Sequence, residues 1–247
     1  MLISAIGACR KISPGVHILN SHYISRSDCP PDLLYSLLNG IKKHADFINI
    51  QEAVGLIEER RDVKQKLVAF TFDDGFEECY SKIAPVLKQF NTNAALFVNP
   101  GFIDGDDRYQ ANFLDSVVHV EGKRAVTWDM LRELHNDGFK VGNHTLDHIR
   151  LVNLDKVELE RQVNESKVRI ENEIGSVCDY FAWTYGGMGD IDSEALSLVL
   201  ESHKYVFSSA NYQNYHSLNG SVINRRHVEG DWPVSHVNFF LSKGKSY

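Results

Sequence analysis

Residues 66–75, KLVAFTFDDG, carry the reading of the fold. The first seven form a nearly unbroken apolar run, the pattern of a strand covered on both faces, as in a parallel sheet. Two aspartates, Asp73 and Asp74, follow at once, and Gly75 permits a sharp turn. Neighbouring side chains on a strand point to opposite faces, so only such a turn would let both carboxylates face one cavity.

Working outward, similar runs recur along the chain. VHILNS (16–21), NAALFV (93–98), FKVGN (139–143), YFAWT (180–184), YVFSS (205–209) and SVINRRHV (221–228) read as strands, with FINI (47–50) as a short one. Helical spacing fills the intervals. In residues 31–44 Leu33, Leu34, Leu37, Leu38 and Ile41 share one face, and QEAVGLIEERR (51–61) continues as a helix. In residues 81–90 Pro85 suits only a first turn, which places the helix start late. Thr127 caps a helix stopped by Gly138. Asp155 and Glu158 stand at capping-box spacing at the head of a helix over 155–175, and a further helix lies near 192–203. A polar insert spans about 99–126. The alternation predicts an α/β fold with a parallel sheet, either open and doubly wound or closed as a barrel. Both architectures gather their sites at the C-terminal ends of the strands. With no linker-like segment or internal repeat, residues 1–247 read as a single domain.

Composition narrows the function. A formal charge of −7 and no long basic run argue against a nucleic-acid partner. Cys9, Cys29, Cys79 and Cys178 form no CxxC pair and call for no disulfide. No stretch approaches the roughly 20 apolar residues of a membrane helix, and the opening MLISAIGACRKIS is a poor signal peptide, so a cytoplasmic setting is expected.

The polar residues just after the apolar runs are Asp73 and Asp74, His144, Tyr185, His22, and the group Arg225, Arg226 and His227. His144 and His148, in GNHTLDH, are four residues apart, a spacing that puts two imidazoles on one side of a helical turn and suits a metal. Alone, that spacing is more often the mark of two surface histidines. A carboxylate with two neutral imidazoles makes a three-ligand site with an open position. The second carboxylate could then serve as a base, kept ionised by a nearby cation.

TFDDG, GNHTLDH and FAWTYGG, in this order and each after a predicted strand, resemble the leading motifs of the polysaccharide deacetylases, the NodB-homology or carbohydrate esterase family 4 enzymes. The resemblance spans roughly residues 16–230. It implies a distorted (β/α)7 barrel and metal-dependent N-deacetylation of an acetamido sugar. By position, Asp73 is implied as general base, with Asp74, His144 and His148 holding a divalent metal, usually Zn2+. Thr145 is implied to support the loop between the histidines, and Tyr185 to offer its backbone N–H to an oxyanion.

Three features depart from the common pattern. Thr184 stands where a proline is usual, Asp179 lies near the place of a usual arginine, and no late Leu-x-His motif is found. The permuted poly-N-acetylglucosamine deacetylase type keeps its acid histidine near the N-terminus, in a segment similar to ILNSHYIS (18–25). That likeness implies His22 as general acid, preferred over His227. Arg226 or Arg225 is implied as the cation beside Asp73; we take Arg226, the other then being a surface charge. His22 as a satisfied core histidine is the bland alternative. Trp183 reads as core, Trp232 equally as core or sugar platform, and Cys79 as a buried apolar residue.

The expected activity is therefore an N-deacetylase acting on an N-acetylated sugar or glycan in surface-polysaccharide biosynthesis, such as O-antigen or capsule. The alternatives are a catalytically silent carbohydrate-binding relative and a deacylase of non-sugar amides.

Overall fold

The computed structural model describes residue 7, residues 9–26 and residues 29–247. Its sheet is built from β1 (Gly15–Ser21), β2 (Asp46–Phe47), β3 (Lys66–Phe72), β4 (Ala94–Val98), β5 (Lys140–Asn143), β6 (Tyr180–Ala182), β7 (Tyr205–Ser208), β8 (His216–Ser217), β9 (Val222–Asn224) and β10 (Arg226–His227). The order is β10-β1-β3-β4-β5-β6-β7-β9-β8, with β2 added on β3. Only β8 runs antiparallel to its neighbour; β1, β3, β4, β5, β6, β7 and β9 form the curled parallel wall of a distorted (β/α)7 barrel.

The wall has a seam between β9 and β1. One extended segment bridges it: β9 pairs with β7, and two residues later β10 pairs with β1 through Leu19↔Arg226 and Asn20↔His227. Arg225 lies between the two pairings, and its N–H donates to the Ser208 carbonyl at 2.8 Å.

Alternation sorts the strand residues into two layers. Val16, Ile18, Ala69, Ala95, Phe97, Ala182, Phe207 and Ile223 form the barrel interior, joined by Ile50, Ala53, Val54 and Ile57 of helix α2 (Ile50–Glu58). The opposite faces of β3 and β4 pack against helix α1 (Asp32–Lys42) through Leu34, Leu37, Leu38 and Ile41, with Phe70, Phe72, Leu96 and Val98 in the same cluster. Leu33 is exposed and leaves the apolar face read from sequence.

Several elements match the sequence reading for the physical reason given. Thr127 accepts from Met130 N–H at the start of α6 (Trp128–Asn136), and Asp155 accepts from Glu158 N–H at the start of α7 (Lys156–Glu160). Pro85 sits in the first turn of α3 (Ala84–Gln89), after a π-helical turn Cys79–Ile83. A second such turn, Arg161–Glu165, interrupts the single helix expected over 155–175; α8 (Ser166–Ile174) resumes it and Gly175 ends it with φ +71°.

Other readings need correction. Ile50, taken as strand, opens α2. The insert at 99–126 is not mere polar loop: it holds α4 (Pro100–Asp104), α5 (Asp107–Asn112) and a π-helical turn Phe113–Val117. Phe102 and Phe113 are fully buried in a separate cluster with Tyr23, Phe76 and Val120. Strand β8 and helix α10 (Val234–Leu241) were not anticipated; α9 (Ser193–Ser202) was. No helix of the described residues is long and apolar enough to cross a membrane, and all four cysteines are free.

Candidate metal centre

Within two residues of the strand end, four interior rows reach a polar side chain: Thr71 leads to Asp73, Gly142 to His144, Ala182 to Thr184, and Ile223 to Arg225. The alternation that lines the core therefore also aims these groups at one rim.

Asp74 breaks the alternation. Its φ is +74°, followed by Gly75 at +75°, so the chain turns left-handed already at Asp74. The turn returns its carboxylate to the side of Asp73, and both are buried at 3% exposure. Thr145 (φ +66°), His148 (+58°) and Tyr185 (+63°) adopt the same costly conformation. Such a gathering of left-handed non-glycine residues marks a functional site.

Asp74 Oδ1 lies 3.5 Å from His144 Nε2 and 3.2 Å from His148 Nε2. One donor atom from each of the three residues falls within 4.8 Å of the others. The histidines sit on a loop after β5, not on the helical turn that their spacing suggested. The positive φ values at Thr145 and His148 bring the imidazoles together in its place, with ring centres 5.2 Å apart.

The donor set fits a divalent ion. His144 Nδ1 lies 2.6 Å from the Ala182 carbonyl, which fixes the proton there and leaves the Nε2 lone pair facing Asp74. Burial lowers the His144 pKa, but Asp74 and Asp73 outweigh it and raise it overall. Burial likewise raises the Asp74 carboxyl, yet His148, His22 and His144 hold it well below the ordinary value. The buried Asp74 Oδ1 has no hydrogen-bond partner among the described residues, as suits an oxygen that would ligate a cation.

The loop is braced by asparagines. Asn99 Nδ2 donates to the His144 and Thr145 carbonyls, and Asn143 Oδ1 accepts from Thr145 N–H and Ser166 Oγ. This corrects the support expected from Thr145, whose buried hydroxyl has no hydrogen-bond partner among the described residues. Thr184, the departure from the common motif, donates to the Ile149 carbonyl at 2.6 Å and ties the β6 loop to the residue after His148.

Asp73 faces a different partner. Arg225 Nη1 and Nη2 donate to its two carboxylate oxygens at 2.7 and 2.9 Å, and Nη1 also reaches Thr71 Oγ1 at 3.1 Å. The guanidinium is buried at 1% and lies 4.9 Å from the centre of the Phe97 ring. Burial raises the Asp73 carboxyl; Arg225, then His144 and His22, overcome this and lower it. The placement of Arg226 at this position is thus corrected. Arg225 continues the interior row from Ile223, and Arg226 must face outward, where it lies over the Phe240 ring at 3.5 Å.

His22 stands at the rim, half-buried, close enough for its charge to act on both aspartates. His227, the competing acid, lies beside it with ring centres 5.4 Å apart and Nε2 2.9 Å from Glu229 Oε1. The Tyr185 side chain is half-exposed, 5.1 Å from His148 between ring centres, and the Arg150 guanidinium lies 4.1 Å over it. Trp183 is core, its indole N–H bound to the Gly187 carbonyl at 2.8 Å; Trp232 stacks on His236 at 4.5 Å. Burial, with Glu78 and both aspartates, pushes the Cys79 thiol well up, which excludes a nucleophilic thiolate.

Comparison with known proteins agrees with this geometry. A family model described as polysaccharide deacetylase matches residues 60–205. The Bacillus subtilis (strain 168) protein YxkH is 25% identical over 122 residues, covering 49% of this chain and 38% of its own length, so the chain spans about two-fifths of that relative. Among solved structures, IcaB from Ammonifex degensii superposes with a TM-score of 0.71 at 20% identity, over 94% of this chain and 99% of its own. The Streptococcus pyogenes deacetylase PplD, solved with acetate, gives 0.69 at 17% identity, over 94% and 99%. A de-N-acetylase from Aggregatibacter actinomycetemcomitans gives 0.65 at 19%, over 91% and 98%. These likenesses establish the fold, and the family match covers more than half of the sequence: the chain belongs to the polysaccharide deacetylase family, a family of hydrolases that act on C–N bonds.

Proposed function

We propose that the chain is a metal-dependent N-deacetylase that hydrolyses the acetamide of an N-acetylated sugar in surface-polysaccharide biosynthesis. One observation carries the reading: two adjacent carboxylates are held apart chemically, Asp74 by two imidazoles and Asp73 by a buried guanidinium. Such a division separates ligand from base. Two proteins that share the fold, the deacetylase PplD and the Aggregatibacter de-N-acetylase, belong to the same class of activity.

Asp74, His144 and His148 would hold the ion, which when bound acidifies a water and polarises a carbonyl. Asp73, kept ionised and oriented by Arg225, takes a proton from the water that attacks the acetamide carbonyl. The Tyr185 backbone N–H is the donor for the developing oxyanion. His22, at the same rim, gives a proton to the departing amine. The products are acetate and a free amino sugar.

The test is metal content together with acetate release from N-acetylated sugars offered free, nucleotide-linked and polymeric, beside simple acetylated amines. About one zinc per chain with acetate from one sugar class establishes the reading. Release only from simple amines turns it into a general amide deacylase. Failure to take up zinc after reconstitution favours a silent carbohydrate-binding relative.

A further inference from the structure

The segment that carries His22 is tied to the loop carrying Asp73 and Asp74 at two points. The first is backbone: Asp73 N–H donates to the Ser21 carbonyl at 2.9 Å. The second is a side chain: Ile24 N–H donates to Glu78 Oε1 at 2.6 Å. The two points bracket His22. Its ring contacts are Tyr23 and His227.

Glu78 does more than accept one bond. Its other oxygen, Oε2, pairs with the Lys123 ammonium, and both residues are buried, at 5% and 7% exposure. Lys123 comes from the end of the insert, and its ammonium lies 5.1 Å from the centre of the Tyr23 ring. Tyr23 packs on Phe76, and Phe102 and Phe113 of the insert extend the same cluster to the edge of His148. One carboxylate therefore joins three stretches far apart in sequence: the aspartate loop, the His22 segment and the insert.

A buried ion pair is a poor device for stability alone, because desolvation offsets its attraction and apolar replacements of equal volume are often neutral. Its use here is directional. The lysine holds the carboxylate in place, and the free oxygen fixes the backbone two residues after His22. Building on the proposed role of His22 as acid, we infer that Glu78, held by Lys123, is a positioning residue that sets the reach of His22 over the metal centre.

The test uses the full chain in four forms: Glu78→Ala, the double variant Glu78→Gln with Lys123→Met, His22→Asn, and Glu78→Ala combined with His22→Asn. The double variant keeps an acceptor for Ile24 N–H without leaving a buried unpaired charge, so it remains informative if Glu78→Ala folds poorly. On the substrate identified by the acetate panel, Glu78→Ala lowers kcat by roughly 10- to 100-fold, the scale of a small misplacement of a catalytic group, with KM and zinc content held. The double variant, with the acceptor kept and the lysine gone, recovers part of kcat. In the His22→Asn background Glu78→Ala adds no further loss, because the group it positions is gone.

A second readout needs no turnover. Modification of His22 by diethyl pyrocarbonate, followed by peptide mass spectrometry, is faster in Glu78→Ala than in the wild type and returns part of the way in the double variant. Unchanged His22 reactivity in Glu78→Ala, or a full extra loss of kcat in the His22→Asn background, overturns the inference. Absence of acetate release by the wild type would overturn the proposed activity instead, and the modification rates would still decide the role of Glu78.

Discussion

Asp73 and Asp74 are neighbours in the chain, yet each belongs to a different half of the site. Asp74 turns toward His144 and His148, on a loop after β5 that is braced by Asn99 and Asn143. Asp73 turns toward Arg225, which reaches it from the seam where β9 gives way to β10, with His22 just past the end of β1 across the seam. The metal half joins two loops, each of which aims its ligands by local geometry under backbone strain. The seam half is made of a long-range pairing, 152 residues apart in sequence, that closes the barrel and orients the base together. The lesson is that equal residues acquire unequal roles from their partners.

Substitutions at the two aspartates break the comparison most directly. Asp74→Asn should lose zinc and, with it, turnover. Asp73→Asn should keep about one zinc per chain while acetate release falls by roughly 10²- to 10⁴-fold, the scale for loss of a general base. Metal analysis beside kinetics separates the two; zinc loss in both would mean that the aspartates share one role.

The same contrast can be drawn at the rim. His22→Asn should lower kcat by about 10²-fold or more, as expected for a missing general acid, whereas His227→Asn should act chiefly on KM. His227 is held by Glu229 and half-exposed, better placed to touch substrate than to serve its leaving group. The reverse pattern would move the acid to His227.

The arginines give a third contrast, read in stability. Arg225→Met leaves the Asp73 carboxylate buried and unpaired, which should cost about 3–5 kcal/mol in urea denaturation. Arg226→Met removes a cation stacked on Phe240 and should cost about 1 kcal/mol. Adding Asp73→Asn to Arg225→Met should recover part of the larger loss; failure to recover would show that the guanidinium acts through Thr71 and Phe97 instead.

The metal half was legible in the sequence because its signals are local. TFDDG and GNHTLDH each place their ligands within a few residues of a strand end, and strands covered on both faces show as apolar runs. The seam half was less legible. Val222 and Ile223 are both buried, so β9 offers no inside–outside cue, and without the face of Ile223 the choice between Arg225 and Arg226 is blind. Glu78 and Lys123 left no signal, since a glutamate just past a glycine turn and a lysine beside Gly122 in a polar insert both read as solvated. The helices of the insert were hidden for a related reason. They span five or six residues, too short for periodicity, and are held by Phe102 and Phe113 in a tertiary cluster.

The smallest predicted effect sharpens the account of the metal half. Asn143, which braces the histidine loop, donates through Nδ2 to His203 Nε2 at 3.2 Å, while His203 Nδ1 lies 2.9 Å from Ser202 Oγ. His203 must therefore be neutral with its Nε2 lone pair free. Burial first, then Lys167, pulls its pKa from 6.5 to about 3. In the unfolded chain it ionises at its ordinary pKa, so between these values the unfolded state binds more protons. The stability carried by neutral His203 is complete above pH 6.5 and is lost as pH falls toward 3. His17, lowered to about 4, acts in the same direction and is common to wild type and variant. His203→Gln keeps an acceptor for Asn143 and cannot ionise. Between pH 7 and 5.5 the wild type should lose about 1 kcal/mol more than this variant in urea denaturation. Parallel losses would mean that His203 is already charged in the fold, and that Asn143 is oriented by Val163 and Ser166 without it.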